Sequence, residues 1–278
     1  MGHQRLGKIS KSQAFKSVVA LVTGDHSSAT GGGPAGGGGG GVTILDEIET
    51  IATATLKAAR QGLESAKSDA GLCHTFFKLT QLVLSARDEA NWRERFSELG
   101  IALDEDDGMF EFAQNLQYSL QDSFDELGTY SDIAEMSRKS AVESVRRLAG
   151  PQSVTLFGSG PEELRDAIRT LSTKNGFSQL GRNFFAGILS QYLNFHLCKE
   201  TPNAVREGRL DGIEGLREFE LALDAHCYES ARIVHDFCGD WYSKTNWREG
   251  ITLENTSRAV AFAIEKLQRE LDKQEKGE

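Results

Sequence analysis

Apolar residues recur every three or four positions along most of the chain, from Thr43 almost to the C-terminus. This spacing matches the roughly 3.6-residue turn of an α-helix and collects the apolar side chains on one helical face. Residues 154–158 form the one plausible strand, which is too short and isolated to predict a sheet, so strand–helix–strand folds are disfavoured. The pattern predicts an all-α body over residues 43–278, an irregular bundle of about eight to ten helices.

Glycine and proline mark the expected ends of these helices. One apolar stripe ends at Gly100, and later stripes end at Gly128 and Gly150. Glycine is common at such positions because it adopts the left-handed conformation of a helix C-terminus without strain. Pro161 is expected at the first position of the next helix, where its missing N–H costs nothing. The stretch 150–161 is a possible seam between two subdomains.

The second half of the chain contains the most apolar of the predicted helices. Leu180, Phe184 and Ile188 follow one another at steps of four, which favours a central position in the bundle. A long helix is predicted from 216 to 237, with Gly239 ending it. Residues 238–250 are then interpreted as a loop that precedes the last helix.

The N-terminal part of the chain differs from this body. Residues 1–24 are predicted to form a short, basic amphipathic helix, and its apolar stripe includes Phe15, Val18, Val19 and Val22. Ten of the 29 glycines of the chain lie in the stretch 24–41, so residues 25–42 are predicted to be a flexible Gly-rich linker or loop. The amphipathic helix either docks elsewhere or packs onto the protein's own body.

Charge is divided unevenly between these two parts. Residues 1–41 contain four basic residues and one acidic residue, a net charge of +3, which leaves -13 for the rest of a chain whose total is -10. Phosphate backbones bind proteins through Lys and Arg side chains that replace counterions. Nucleic-acid binding by the acidic body is therefore disfavoured, and membrane association is expected only through residues 1–24.

The four cysteines lie inside apolar helical patterns and lack the dense spacing of a secreted disulfide framework. A reducing compartment is the simplest explanation. No stretch approaches the roughly 20 consecutive apolar residues that a membrane-spanning helix needs. The sequence thus predicts a cytoplasmic protein.

The common catalytic motifs are absent from the sequence. There is no phosphate-binding loop with its Lys-Ser/Thr pair, no dinucleotide fingerprint, no Gly-x-Ser-x-Gly elbow and no His-Glu-x-x-His helix. This absence favours a non-enzymatic protein, and no cofactor is predicted.

Histidine and cysteine nevertheless occur close together along the chain. Among these neighbouring histidines and cysteines, His235 and Cys238 have the i, i+3 spacing that places two side chains on one helical face. His196 and His226 continue apolar stripes, and they would complete a Cys/His site if their helices met. Buried cysteines usually behave as small apolar residues, so a metal site at these four positions is not favoured.

An aromatic and polar segment follows Gly239. It combines two tryptophans and a tyrosine with hydrogen-bonding and charged side chains, at Trp241, Tyr242, Lys244, Asn246, Trp247 and Arg248. This composition suits stacking and hydrogen bonding with a ligand or a partner. The alternative is a loop whose aromatic residues cover the core while its charged residues face water.

These observations favour a non-enzymatic interaction module, an adaptor or regulatory subunit that binds another protein, and a protein encoded nearby is one candidate partner. Partner contacts are expected from the N-terminal apolar stripe and from the aromatic segment. One alternative is a helical enzyme or small-ligand sensor with a His/Cys/aromatic pocket around residues 196–247. A second alternative is peripheral membrane association through the basic N-terminal helix. The oligomeric state is left open.

Overall fold

The computed structural model describes residues 62–153, 160–197 and 212–276. These residues form an all-α bundle without strands, which confirms the predicted fold class. The predicted N-terminal helix, the Gly-rich segment 25–42 and the suggested strand 154–158 lie outside these ranges. The described helices are α1 (Ala70–Ser85), α2 (Trp92–Glu98), α3 (Met109–Leu127), α4 (Asp132–Ala149), α5 (Pro161–Thr170), α6 (Lys174–Leu197), α7 (Gly212–Ser230), α8 (Arg232–Arg248) and α9 (Leu253–Lys276).

Several helix ends lie where glycine and proline predicted them. Gly100 follows α2 with a φ of 76°, and Gly128 follows α3 with a φ of 62°. Both values are in the left-handed region that glycine adopts most easily. Pro161 begins α5, and the preceding Gly160 N–H donates a hydrogen bond to Glu163 Oε2 at 3.1 Å. The backbone preferences of glycine and proline residues at these positions thus determine where the helices end.

The predicted end at Gly239 is wrong. Helix α7 stops at Ser230, and after a turn at Ala231 helix α8 continues through Gly239 to Arg248. A Cβ atom at Gly239 would lie 2.6 Å from the backbone oxygen of Lys174, on α6. Glycine at this position therefore allows α8 and α6 to approach closely, and most of the supposed loop 238–250 is helical.

Helix α6 lies at the centre of the described bundle, as its apolar pattern predicted. It packs against α4, α7 and α8, while α1 packs against α4 and α9. Phe76 links α1 to the central helix α6. Its ring lies 5.4 Å from that of Phe184 and 5.3 Å from that of Phe185, both on α6. One hydrophobic cluster includes residues from both sides of the stretch 150–161.

The lengths and compositions of the helices also bear on membrane insertion. Within the described ranges, no helix combines the length and the apolarity needed to cross a bilayer.

Candidate functional site

Two aromatic residues of the predicted binding segment belong to the core. Trp241 is partly buried, with its ring 5.9 Å from that of Phe76 and 6.2 Å from that of Phe177. Tyr242 is buried and stacks on Phe177, with 4.2 Å between the ring centroids. Helix α8 positions both residues against α6 and α1, so they anchor the helix and leave little surface for a ligand.

Trp247 has the opposite environment. It lies near the end of α8 with 89% of its surface exposed. Lys244 and Arg248 are also exposed, and Lys244 is a helical neighbour of both Trp247, three positions on, and Arg248, four positions on. We call these three residues the Trp247 surface. Asn246, the remaining predicted residue of this segment, is partly buried.

The charges beside Trp247 are only partly neutralised. Lys244 Nζ lies 3.6 Å from Asp240 Oδ2, but Asp240 also contacts Lys174 Nζ at 2.5 Å. The hydrogen bond from Lys174 and the positive charges of both lysines keep the pKa of Asp240 below its usual value. Arg248 forms no ion pair with another described residue. The Trp247 surface therefore presents an aromatic ring beside available positive charge on a protein that is acidic overall.

The His and Cys candidates lie in different surroundings. Cys238 is buried against α6, where a Cβ atom at Gly181 would lie 2.6 Å from its Sγ atom. His235 is partly exposed, and its Nδ1 atom lies 2.8 Å from Asp236 Oδ1. His226 is buried on α7. No group of three or more potential metal ligands occurs among the described residues.

Burial also makes the core thiols poor nucleophiles. Removal from water raises the pKa of the Cys238 and Cys227 thiols, and the negative charge of Asp224 adds to the rise at Cys227. Thiolate is the form that attacks substrates and binds metals. Both cysteines therefore retain their protons in the folded protein.

Five of the other predicted candidates cannot be placed. Phe15, Val18, Val19 and Val22 lie outside the described residues. His196 belongs to α6, but its side chain is likewise outside the description.

A polar cleft of about 170 Å³ lies between α4, α6 and α7, where the sequence analysis placed no site. Small and polar residues line it, and on α6 they follow helical spacing at Asn183, Gly187 and Ser190. Gly187 keeps the helices close, because a Cβ atom there would lie 2.9 Å from Ser140 Oγ. This polar stripe on an otherwise apolar helix was the signal in the sequence.

Some side chains of the polar cleft bind one another. Gln191 Nε2 donates to Ser140 Oγ at 2.8 Å, and Ser190 Oγ donates to Asp224 Oδ1 at 2.6 Å. Asn183 Nδ2 donates to the backbone oxygen of Gln179 at 2.9 Å. These bonds hold the polar groups in place at the cleft.

Lys78 of α1 is a buried cation that the sequence analysis did not single out. Its Nζ atom donates hydrogen bonds to Ser119 O at 2.9 Å, Ser119 Oγ at 2.5 Å and Ser123 Oγ at 2.8 Å. Burial lowers the pKa of Lys78 to about 8, while the negative charges of Asp122 and Glu126 limit the shift. Because its three donors are all used, this ammonium group joins α1 to α3 and is not a free nucleophile.

Comparison with protein-family models, curated proteins and solved structures finds no match to this chain. Two features of the described residues have unused binding capacity. The Trp247 surface offers exposed aromatic area and positive charge, and the polar cleft offers hydrogen-bonding groups in a solvent-open depression between three helices. The first suits a macromolecular partner, and the second suits a small molecule.

Proposed function

We propose that the protein is a non-enzymatic interaction module, an adaptor or regulatory subunit, which binds another protein through the Trp247 surface. The observation that carries this proposal is the 89% exposure of Trp247 on a regular helix. A tryptophan is among the side chains that contribute most when an interface buries them. Its apolar area gains free energy on transfer from water, while its N–H can still find an acceptor.

The helix beneath Trp247 favours binding at a low entropic cost. Trp241 and Tyr242 hold the preceding part of α8 against the core. The Trp247 side chain has only two rotatable bonds, so an interface that buries it orders few degrees of freedom.

The neighbouring charges indicate the chemistry of the partner. Lys244 lies one turn before Trp247 and Arg248 directly follows it, and Arg248 has no carboxylate partner among the described residues. A partner with an apolar pocket bordered by Asp or Glu would bury the indole and pair with both cations. The acidic remainder of the body would repel such a partner elsewhere, which orients the approach toward this surface.

The proposal includes a cytoplasmic location. Cys73, Cys227 and Cys238 are free thiols in the described structure, and all three are buried. Free thiols are usual in a reducing compartment, which supports this location. The N-terminal stripe at residues 15–22 is a second candidate contact for the same partner, and it stays a sequence prediction.

A comparison of Trp247→Ala with Tyr118→Ala tests the proposal. Tyr118 is 56% exposed on α3, so its variant removes an exposed aromatic residue from a different helix. We expect the full-length protein and Tyr118→Ala to bind the same partner, identified by quantitative affinity purification. Trp247→Ala should weaken the affinity for that purified partner by about 30-fold, which corresponds to about 2 kcal/mol.

The folding of each variant is the control. Because Trp247 makes little contact with the core, its replacement should leave the melting temperature unchanged. Binding of every partner by Trp247→Ala with the affinity of the unmodified protein would overturn the proposal.

A further inference from the structure

The polar cleft has room for a small molecule. Its volume of about 170 Å³ is similar to the roughly 150 Å³ of a cavity that binds benzene, so a ligand of about six non-hydrogen atoms would fit. Helices α4, α6 and α7 contribute the lining, and Trp247 is on a different helix, α8. A site here would be separate from the Trp247 surface.

Two buried polar groups of the cleft have unused hydrogen-bonding capacity. Ser144 is only 3% exposed, and its hydroxyl makes no hydrogen bond to another described residue. Asn183 is 8% exposed, and its amide nitrogen is occupied by Gln179 O while its Oδ1 atom accepts no hydrogen bond from a described residue. Neither oxygen is one of the fully buried atoms that lack a partner, so solvent in the cleft reaches both, and both are available to accept hydrogen bonds from a ligand that donates N–H or O–H groups.

Two carboxylates, those of Glu143 and Asp224, and the guanidinium group of Arg147 line the cleft. Asp224 accepts a hydrogen bond from Ser190, but no Lys or Arg among the described residues lies within ion-pair distance of it. Glu143 is already paired with Arg146 at 2.8 Å, and Arg147 lies 3.9 Å from its other oxygen. Asp224 is therefore the lining carboxylate without a cation at ion-pair distance among the described residues, whereas Glu143 has two.

Taken together, these groups define the chemistry of the occupant. We infer that the polar cleft binds a small aliphatic amine, whose ammonium group pairs with Asp224 and whose N–H groups donate to Asn183 Oδ1 and Ser144 Oγ. An ammonium group supplies both the positive charge and several donors, whereas a neutral alcohol supplies donors alone. The net charge of -13 on residues 42–278 also raises the local concentration of cations.

Butane-1,4-diamine and butane-1,4-diol are the probes that test this site. Both molecules have six non-hydrogen atoms and the same chain, but only the diamine is charged. Titration calorimetry with the full-length protein should detect binding of the diamine and not of the diol, at matched ionic strength. Equal binding of the two probes, or no binding of the diamine at millimolar concentration, would overturn the inference.

Variants then locate the binding. Asp224→Asn should weaken diamine binding at least about tenfold, because a charge-assisted hydrogen bond is lost. Glu220→Gln, which removes another exposed carboxylate one turn earlier on α7 and outside the cleft, should leave the affinity unchanged. A diamine affinity that is equal in Asp224→Asn and the unmodified protein would place binding elsewhere and refute the assignment.

Ser144→Ala separates ligand binding from folding. Since the Ser144 hydroxyl has no described partner, the ligand-free variant should melt at the same temperature as the unmodified protein or higher. Its diamine affinity should nevertheless fall several-fold. A lower melting temperature with unchanged affinity would show that the hydroxyl stabilises the fold and does not bind the ligand.

Discussion

At the scale of single residues, the same side chain has opposite roles at two positions of α8. Trp241 contacts Phe76 and Phe177, whereas Trp247 faces solvent. Positions six apart on a helix point about 120° away from each other, so one lies over the core when the other does not. Within the aromatic segment, Trp241 thus anchors the helix to the core, and Trp247 is exposed and free to contact a partner.

Lys78 is another residue whose role depends on its neighbours. Its hydrogen bonds to Ser119 and Ser123 replace those it would make with water. They do not remove the cost of burying the charge, and burial consequently lowers its pKa to about 8. The folded protein therefore releases this proton at a lower pH than the unfolded chain does.

This difference predicts a pH-dependent contribution of Lys78 to stability. Between its folded pKa of about 8 and the ordinary lysine value, the unfolded chain binds more protons, so stability rises with pH. From about pH 7 to about pH 9.5, the free energy of unfolding should rise by about 1–2 kcal/mol relative to that of Lys78→Met. Urea denaturation of both proteins at the two pH values measures this change.

The matched variant is needed because other groups act in the opposite direction. Burial raises the pKa of Tyr242 to about 12 and also raises the pKa values of the Cys227 and Cys238 thiols. These groups lose stabilisation as the pH rises, but they do so equally in both proteins. Parallel pH profiles for the two proteins would contradict the prediction for Lys78.

At the scale of elements, the contact between α6 and α8 depends on two glycines. Gly181 of α6 faces Cys238, and Gly239 of α8 faces Lys174 and Ser178. Each of the two helices therefore has a glycine, with no side chain, at a position that contacts the other helix. This allows the two backbones to approach more closely than larger residues would permit.

Gly239→Ala tests this contact. Alanine improves intrinsic helix propensity, but its Cβ atom would lie 2.6 Å from the Lys174 backbone oxygen, which cannot move as a side chain can. We expect a net loss of about 1–3 kcal/mol in the free energy of unfolding, from overpacking.

Ser243→Ala is the matched control for Gly239→Ala, because it introduces alanine at an exposed position of the same helix. It should change stability by less than about 0.5 kcal/mol. If chemical denaturation gave Gly239→Ala the stability of this control, the close approach at Gly239 would not limit the packing of α8.

At the scale of the whole molecule, one apolar cluster connects helices from both halves of the chain. Phe76 before the stretch 150–161 packs against Phe184 and Phe185 after it. Helix α5, which directly follows this stretch, contacts both α1 and α4. A continuous core of this kind predicts that the two halves unfold together.

Tryptophan reporters can measure this cooperativity. Trp92→Phe/Trp247→Phe leaves Trp241 in the second half as the fluorophore, and Trp241→Phe/Trp247→Phe leaves Trp92 in the first half. For each variant, the fluorescence and circular dichroism midpoints in urea should coincide. Fluorescence midpoints that were separated from circular dichroism midpoints would instead support a subdomain seam at 150–161.

How much of the molecule could be predicted from sequence depends on the range of the determining interactions. The ends at Gly100, Gly128 and Pro161 follow from backbone preferences within a few residues, and the pattern found them. At Gly239 the same rule failed, because contact with α6 requires a glycine for a different reason. Local preference alone does not distinguish a terminating glycine from a packing glycine.

The sequence by itself determined the all-α class, the apolar helix faces and the central position of α6, because helical periodicity shows which side chains must leave water. Only the tertiary structure decided that Trp247 is exposed while Trp241 is packed, and that Ser144, Asn183 and Asp224 meet at one cleft. Whether a side chain is exposed, and whether distant residues meet at one cleft, depend on which helices pack together. Contacts between residues far apart in the chain determine that packing.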